Sequence, residues 1–181
     1  MPRQRYILTV PVPETTQNYL KKWYERSFSS SLPIEHLHIS LLHPFFLRKG
    51  VTEEQLTHSL QHLKSSEFSA SMINLGIYSQ KGKNILYINL GPKEKFQKLY
   101  EEILHRAQAL IEFDTTPFTN GKIPDFDPHI SLDYDWKTTQ PEKSFGNLEQ
   151  KFQIIGCMLQ KESAPRDWRQ VAEIPLHSER D

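Results

Sequence analysis

The sequence is poor in cysteine and glycine and contains no long hydrophobic run. Its one cysteine among 181 residues, Cys157, excludes an internal disulfide bond and any zinc site built from several cysteines. The apolar, strand-like residues around Cys157 indicate a buried structural thiol. No apolar run approaches the roughly 20 residues of a membrane-spanning helix, and the N-terminal stretch lacks the apolar core of a signal peptide. We therefore expect a soluble intracellular protein without membrane association, in the cytoplasm or the nucleus.

The chain also lacks an excess of charge of either sign. It contains 22 lysines and arginines against 22 aspartates and glutamates, so the formal net charge is zero. This balance excludes a protein that binds nucleic acid through a broad basic surface. It remains compatible with an enzyme that binds one or two phosphates locally. The length favours a single domain over residues 1–181.

The hydrophobic pattern predicts strands interspersed with three helices. Helices are expected at residues 13–28, 52–64 and 93–111, and strands at residues 5–12, 36–46, 68–80, 84–90, 128–134, 152–160 and 168–174. The residues between the third helix and the strand at 128 are expected to form a loop. Hairpin-like neighbours and long helices predict an α+β fold with a mainly antiparallel sheet.

The tetrapeptide His-Ile-Ser-Leu occurs twice, at residues 38–41 and 129–132. Each copy follows a strand, a helix and a loop, so the chain contains a weak internal repeat. In a strand, residues i and i+2 point to the same face. Each copy therefore places an imidazole beside a hydroxyl, while the isoleucine and leucine point into the core.

Two such pairs suit the cleavage of a phosphodiester. A neutral imidazole accepts a proton from the attacking oxygen, and a protonated one donates a proton to the leaving oxygen. The two hydroxyls can hold the non-bridging phosphate oxygens and stabilise the developing charge. We predict catalytic roles for His38, His129, Ser40 and Ser131, with the choice of general base left open.

The chain resembles the 2H phosphoesterase superfamily, which is defined by two His-X-Ser/Thr motifs, each on a strand. The resemblance runs from the first strand through both motifs to a closing strand at residues 168–176. It implies a bilobal fold in which two antiparallel sheets with flanking helices are related by a pseudo-two-fold axis. A central cleft between the lobes would hold both motifs, and no cofactor is expected.

The resemblance implies hydrolysis of 2′,3′-cyclic phosphate ends of RNA or of small cyclic nucleotides, as in the LigT-like members. Two alternatives remain within the superfamily: an exonuclease that trims RNA 3′ ends, and a 2′,5′-oligoadenylate phosphodiesterase. A nucleotide-binding or RNA-binding module without turnover is a third. The expected partner is an RNA end or a cyclic or short oligonucleotide, and the protein is expected to be a monomer.

Further side chains beside the motifs are candidates for substrate binding. Aromatic rings stack on unpaired bases, and those near the motifs are Phe45, Phe46, Phe126 and Tyr134. His36 shares strand parity with His38 and is a candidate for the mouth of the cleft. An ordinary edge or turn position is the alternative for both His36 and His43. No metal site is predicted, because no acidic or cysteine ligand lies at a suitable spacing from these histidines.

Overall fold

The structure is a computed structural model that describes residues 3–80, 82–116, 118, 125–138, 150–165 and 167–178. Three helices and nine strands follow one another along the described chain. In order they are β1 (Arg5–Pro11), α1 (Glu14–Phe28), β2 (His38–Leu47), α2 (Glu53–Leu60), β3 (Phe68–Gln80), β4 (Lys83–Gly91), α3 (Lys93–Ala107), β5 (Ile111–Phe113), β6 (His129–Trp136), β7 (Lys151–Ile154), β8 (Gly156–Ala164) and β9 (Asp167–Pro175).

All nine strands belong to one curled antiparallel sheet, which confirms the predicted α+β class. Its order is β7-β3-β4-β6-β2-β1-β8-β9, and β5 pairs with β2 outside this path. The expectation of two separate sheets is therefore wrong, because the strands form one continuous sheet. The halves β7-β3-β4-β6 and β2-β1-β8-β9 are joined where Ile39 of β2 pairs with Ile130 of β6.

The two halves repeat one chain path around this junction. In one half the chain runs through β1 and α1 into β2, and β1 then pairs with β2. In the other half it runs through β4 and α3, and later reaches β6, which pairs with β4. Both copies of the tetrapeptide therefore begin the central strands of the sheet.

Two stretches differ from the sequence prediction. The third helix ends at Ala107, and Ile111 then starts the short strand β5, which pairs with Phe45–Leu47 of β2. The spacing predicts a longer helix because Ile111 continues the helical period, although it is buried as the first residue of β5. The predicted strand at residues 152–160 is divided at Ile155, so that β7 pairs with β3 at one end of the sheet and β8 pairs with β1 in the other half.

The helices pack on one face of the sheet. α1 buries Thr16, Leu20 and Tyr24, and α2 begins at a capping box in which Thr52 and Gln55 bond each other's backbone amides. α3 buries Phe96, Leu99, Ile103 and Ala107. Ile39 and Ile130 belong to the same hydrophobic core. Residues that alternate with these two isoleucines therefore lie on the opposite face, which we call the site face.

Candidate active site

The two His-Ile-Ser-Leu copies lie on neighbouring strands at the centre of the sheet. Their strands are antiparallel and meet at the Ile39–Ile130 pair. One residue to either side of this pair, His38 lies across from Ser131, and Ser40 lies across from His129. Each imidazole thus has a hydroxyl beside it on its own strand and another on the neighbouring strand.

The burial of these residues follows the predicted alternation. Ile39, Leu41, Ile130 and Leu132 are at most 1% exposed and belong to the core. The histidine and serine of each copy are only partly buried. The core residues hold both strands in register, since a shift by one residue would exchange the two faces.

Both imidazoles are oriented by the same local hydrogen bond. Nδ1 of His38 lies 3.3 Å from the carbonyl oxygen of His36, and Nδ1 of His129 lies 2.8 Å from that of Asp127. A carbonyl oxygen only accepts, so Nδ1 must carry the proton in each ring. This leaves Nε2 of each histidine available to exchange a proton with a substrate.

The electrostatic environment distinguishes the histidines near the junction. Burial lowers the pKa of His38 below its usual value, and the charge of His129 lowers it further, against the opposing bond to His36. Burial and the charge of His129 also lower the pKa of His43 to about 4. A positive charge on His129 therefore disfavours protonation of the other two rings.

His43 is a site-face residue that the sequence did not identify. The pairing of β1 with β2 is irregular between Leu8 and Thr9, where Leu8 pairs with Leu42 and Thr9 with Ser40. The extra residue in β2 is a bulge, so that two consecutive leucines are buried and the next residue turns to the site face. The ring of His43 there contacts the ring of Phe118 at 5.0 Å.

The second motif strand has an equivalent irregularity. Leu86 pairs with Asp133 and Tyr87 with Ser131, so β6 also has an extra residue after its serine. Asp133 accepts a hydrogen bond from the buried Tyr24 of α1, and Tyr134 contributes to the electrostatics of Tyr78. Tyr134 and His43 therefore occupy the same position, three residues after the serine of each motif.

Two more tyrosines, from β3 and β4, surround His129. The ring centroids of Tyr87 and Tyr78 lie 5.3 Å and 5.9 Å from that of His129, and 5.3 Å from each other. The ring of Tyr87 lies over Gly76, where a Cβ atom would be 2.3 Å from Cζ of the tyrosine. The sequence signal for this cluster was a tyrosine two residues after a glycine in β3, which identifies a site only once the strand pairing is known.

Two of the residues predicted to bind substrate, Phe45 and His36, do not place their side chains in the site. Phe45 is fully buried and stacks on Tyr6 at 5.8 Å, so its predicted role in stacking on a base is wrong. His36 lies outside β2, and its side chain is 86% exposed beside Glu35; only its backbone carbonyl contacts the site. His36 was misplaced because the strand begins two residues later than predicted. Phe45 was proposed for its nearness to the motif, whereas its position alternates with that of the site residues and matches that of Ile39.

The two other phenylalanines are only partly buried. Phe46 lies under the guanidinium group of Arg3, at 4.5 Å from the ring centroid. Phe126 stacks on Tyr100 of α3 at 4.5 Å and packs against the core. Each therefore already has a partner from the protein on one side of its ring.

The described part of the chain contains no group of three or more His, Cys, Asp or Glu side chains arranged to hold a metal ion. It also contains no helix that is both long and apolar enough to cross a membrane. Cys157 is buried, and burial raises the pKa of its thiol to about 12.

The sequence model of one protein family, the 2'-5' RNA ligase superfamily, matches residues 12–169 of the chain. Among solved structures, E. coli LigT complexed with 3'-AMP aligns with a TM-score of 0.72 at 17% identity, over 97% of this chain and 99% of that one. TT0787 of Thermus thermophilus aligns with a TM-score of 0.70 at 20% identity, over 97% and 100% of the two chains. E. coli LigT complexed with NADP+ aligns with a TM-score of 0.71 at 17% identity, over 97% of this chain and 99% of that one. No curated protein sequence matches the chain significantly.

Proposed function

Because the chain belongs to the 2'-5' RNA ligase superfamily, we propose that it is a phosphodiesterase that hydrolyses 2′,3′-cyclic phosphates at RNA ends or in small cyclic nucleotides. His38 and His129 are the acid–base pair, and Ser40 and Ser131 hold the phosphate. The site face between the two halves of the sheet is the cleft that receives the substrate.

The observation that carries this proposal is the crossed arrangement of the two motifs. The Ile39–Ile130 pair sets each histidine across from the serine of the other motif. A phosphate placed between the strands would therefore meet a hydroxyl and an imidazole from either side. In-line displacement requires this arrangement, because the attacking and leaving oxygens lie on opposite sides of phosphorus.

In the proposed reaction, a water molecule attacks phosphorus while one imidazole accepts its proton at Nε2. The bond between phosphorus and one ribose oxygen breaks, and the other imidazole donates its Nε2 proton to that oxygen. The product is a phosphomonoester with a free neighbouring hydroxyl, and each histidine ends in the protonation state in which the other began. The serine hydroxyls donate to the non-bridging oxygens as negative charge develops there.

The environment of the two rings favours His38 as the general base. Its lowered pKa favours the neutral form that a base requires. Burial is the main cause of this lowering, so the assignment of His38 as the base rests on its position in the sheet. His129 is then the general acid.

A nucleotide substrate is supported by the solved relatives, since E. coli LigT was crystallised with 3'-AMP and with NADP+. The neutral net charge of the present chain favours a small or terminal substrate over a long RNA tract. The protein is proposed to act as a monomer without a cofactor.

The test is a set of single-residue variants assayed on a 2′,3′-cyclic nucleotide. His38→Ala and His129→Ala should each lower kcat by roughly 10²–10⁴, the range of general acid–base catalysis. His58→Ala, which removes an exposed histidine of α2, is the matched control and should retain wild-type turnover. Full activity of either cleft variant, or loss of wild-type activity on adding a chelator, contradicts the proposal.

The substrate class is tested with the same enzyme on four compounds. These are a 2′,3′-cyclic nucleotide, an RNA with a cyclic phosphate end, a 2′-5′ oligoadenylate and an RNA with a 3′-hydroxyl end. Opening of the cyclic phosphates alone supports the proposal. Shortening of the 3′-hydroxyl RNA indicates an exonuclease, cleavage of 2′-5′ linkages alone indicates an oligoadenylate phosphodiesterase, and tight binding without product indicates a binding module.

A further inference from the structure

We propose that Gln17 of α1 is a positioning residue for His38, because its side-chain amide holds the peptide group that orients the imidazole. The inference rests on the proposed function. The peptide group in question joins His36 to Leu37. Its carbonyl oxygen lies 3.3 Å from Nδ1 of His38, and its N–H donates to Oε1 of Gln17 at 3.2 Å. Gln17 therefore reaches the imidazole through a single planar group.

The side chain of Gln17 is itself fixed at the start of α1. Its Nε2 donates to the carbonyl oxygen of Val12 at 2.8 Å, and the backbone amide of Val12 donates to the carbonyl oxygen of Leu37 at 3.2 Å. These bonds join the end of β1 and the first turn of α1 to the residue before β2. Since the C=O and N–H of a trans peptide point in opposite directions, directing the N–H toward Gln17 directs the C=O toward His38.

The orientation of this peptide group depends on its backbone bonds. The side chain of His36 is 86% exposed and packs little against the protein. Donation of the N–H to Gln17 also makes the carbonyl oxygen a stronger acceptor, because hydrogen bonds on the two sides of one peptide group polarise each other. The bond to Gln17 thus favours both the direction and the strength of the bond to His38.

The second motif orients its histidine without such a side chain. Pro128 corresponds to Leu37, since each precedes a motif histidine and accepts a bond from a backbone amide just before the helix of its half. Proline has no N–H that a glutamine could hold. Its ring instead restricts the preceding residue, Asp127, to extended backbone, and the carbonyl oxygen of Asp127 lies 2.8 Å from Nδ1 of His129. Gln17 therefore serves the first motif alone.

The bond to the carbonyl oxygen matters for catalysis because it selects the tautomer. In a neutral histidine, the bond made by one ring nitrogen decides which nitrogen carries the proton. A proton on Nδ1 leaves a lone pair on Nε2, and this is the atom that accepts the proton from water when His38 is the base. Loss of the Gln17 bond weakens this selection and lowers the fraction of His38 that can act as a base.

The first experiment records the ¹⁵N shifts of the imidazole nitrogens without substrate, at about pH 8.5, where histidine is neutral. The signals are assigned from the spectra of His38→Ala and His129→Ala. Wild type should carry the proton on Nδ1 in both rings. Gln17→Met keeps the length and helix propensity of glutamine and should shift His38 toward the tautomer protonated on Nε2, with His129 unchanged. Gln17→Ala is a second variant with the same expected result. Unchanged signals of His38, or equal changes in both rings, overturn the proposal.

The second experiment measures kcat and KM of the same proteins on a 2′,3′-cyclic nucleotide. Gln17→Met should lower kcat about three- to tenfold, the effect of one lost hydrogen bond, and change KM less than about twofold. In the His38→Ala background it should change kcat less than about twofold, because its effect passes through this imidazole. Gln97→Met makes the same replacement at an exposed position of α3 and should retain wild-type kcat. Wild-type kcat for Gln17→Met, or an equal loss in both backgrounds, contradicts the positioning role.

The two experiments separate this inference from the proposed function. Wild-type protein that opens no cyclic phosphate contradicts the proposed function, and the spectra then decide by themselves whether Gln17 sets the tautomer of His38. Wild-type protein that is active, with a His38 tautomer that does not respond to Gln17→Met, overturns the role of Gln17 while the proposed function stands on the histidine variants.

Discussion

Replacing Gly76 with alanine should reduce catalysis more than stability. The added Cβ atom would lie 2.3 Å from Cζ and 2.5 Å from Oη of Tyr87. Favourable carbon–carbon contacts begin at about 3.5 Å. The end of the Tyr87 ring must therefore move by about 1 Å, and this ring contacts the imidazole of His129 at 5.3 Å.

The size of the effect follows from this displacement. A misplacement of about 1 Å near reacting groups can cost up to 10²-fold in rate. We expect Gly76→Ala to lower kcat between about 10-fold and 100-fold. Overpacking costs about 1–3 kcal/mol in a closely packed core. Because the half-buried end of the tyrosine can move, we expect the free energy of unfolding to fall by only about 1 kcal/mol, at the lower end of that range.

The assay compares four proteins on a 2′,3′-cyclic nucleotide: wild type, Gly76→Ala, Tyr87→Ala and the double variant. Urea unfolding of each supplies the stability. If the tyrosine transmits the effect, adding Gly76→Ala to Tyr87→Ala changes kcat less than about twofold. An equal loss in both backgrounds, or wild-type kcat for Gly76→Ala alone, would refute the reasoning.

Two further predictions concern pH. The pKa of His38 lies below its usual value. As the pH falls, kcat/KM should therefore begin to decrease only below about pH 6.5, where the base becomes protonated. A decrease that begins above this pH would rule out His38 as the base. The pKa of His43 is about 4 in the folded protein and about 6.5 in the unfolded chain, so the unfolded chain takes up a proton first as the pH falls. Stability present above about pH 6.5 should thus decrease by up to about 3 kcal/mol toward about pH 4. Urea unfolding should show a smaller decrease for His43→Gln, and an equal decrease would exclude His43 as its source.

The sequence was sufficient to predict the motif strands because the deciding pattern is local. The alternation of His, Ile, Ser and Leu assigns the faces within four residues, and both isoleucines are fully buried as this alternation requires. Composition and hydrophobic spacing likewise predicted the three helices, with ends that differ by a few residues. The α3 prediction was too long because Ile111 continued the helical spacing although it belongs to β5.

The failure to identify His43 has its origin in the bulge of β2. A bulge adds one residue to a strand and reverses the face of the residues after it. In β2 a second irregularity, between the pairs of Leu8 and Tyr6, restores the original alternation by Phe45. Strict alternation after Ser40 does not place His43 on the site face. The expectation that Phe45 lies beside the substrate had another origin, its nearness to the motif in the sequence; the ring is buried against Tyr6. Nothing in a single strand's composition signals such a bulge, because it depends on the register with the neighbouring strand.

The sequence by itself determined which chemistry the chain offers: two imidazole–hydroxyl pairs on two strands, with no excess charge. Only the tertiary structure decided how these pairs meet, through the Ile39–Ile130 pair that joins the halves of the sheet. It also decided which side chains from elsewhere surround them, since Tyr78 and Tyr87 reach His129 through the pairing of β3, β4 and β6. The physical reason is that the face of a residue depends on its nearest neighbours in the chain, whereas the register between strands depends on packing over the whole core.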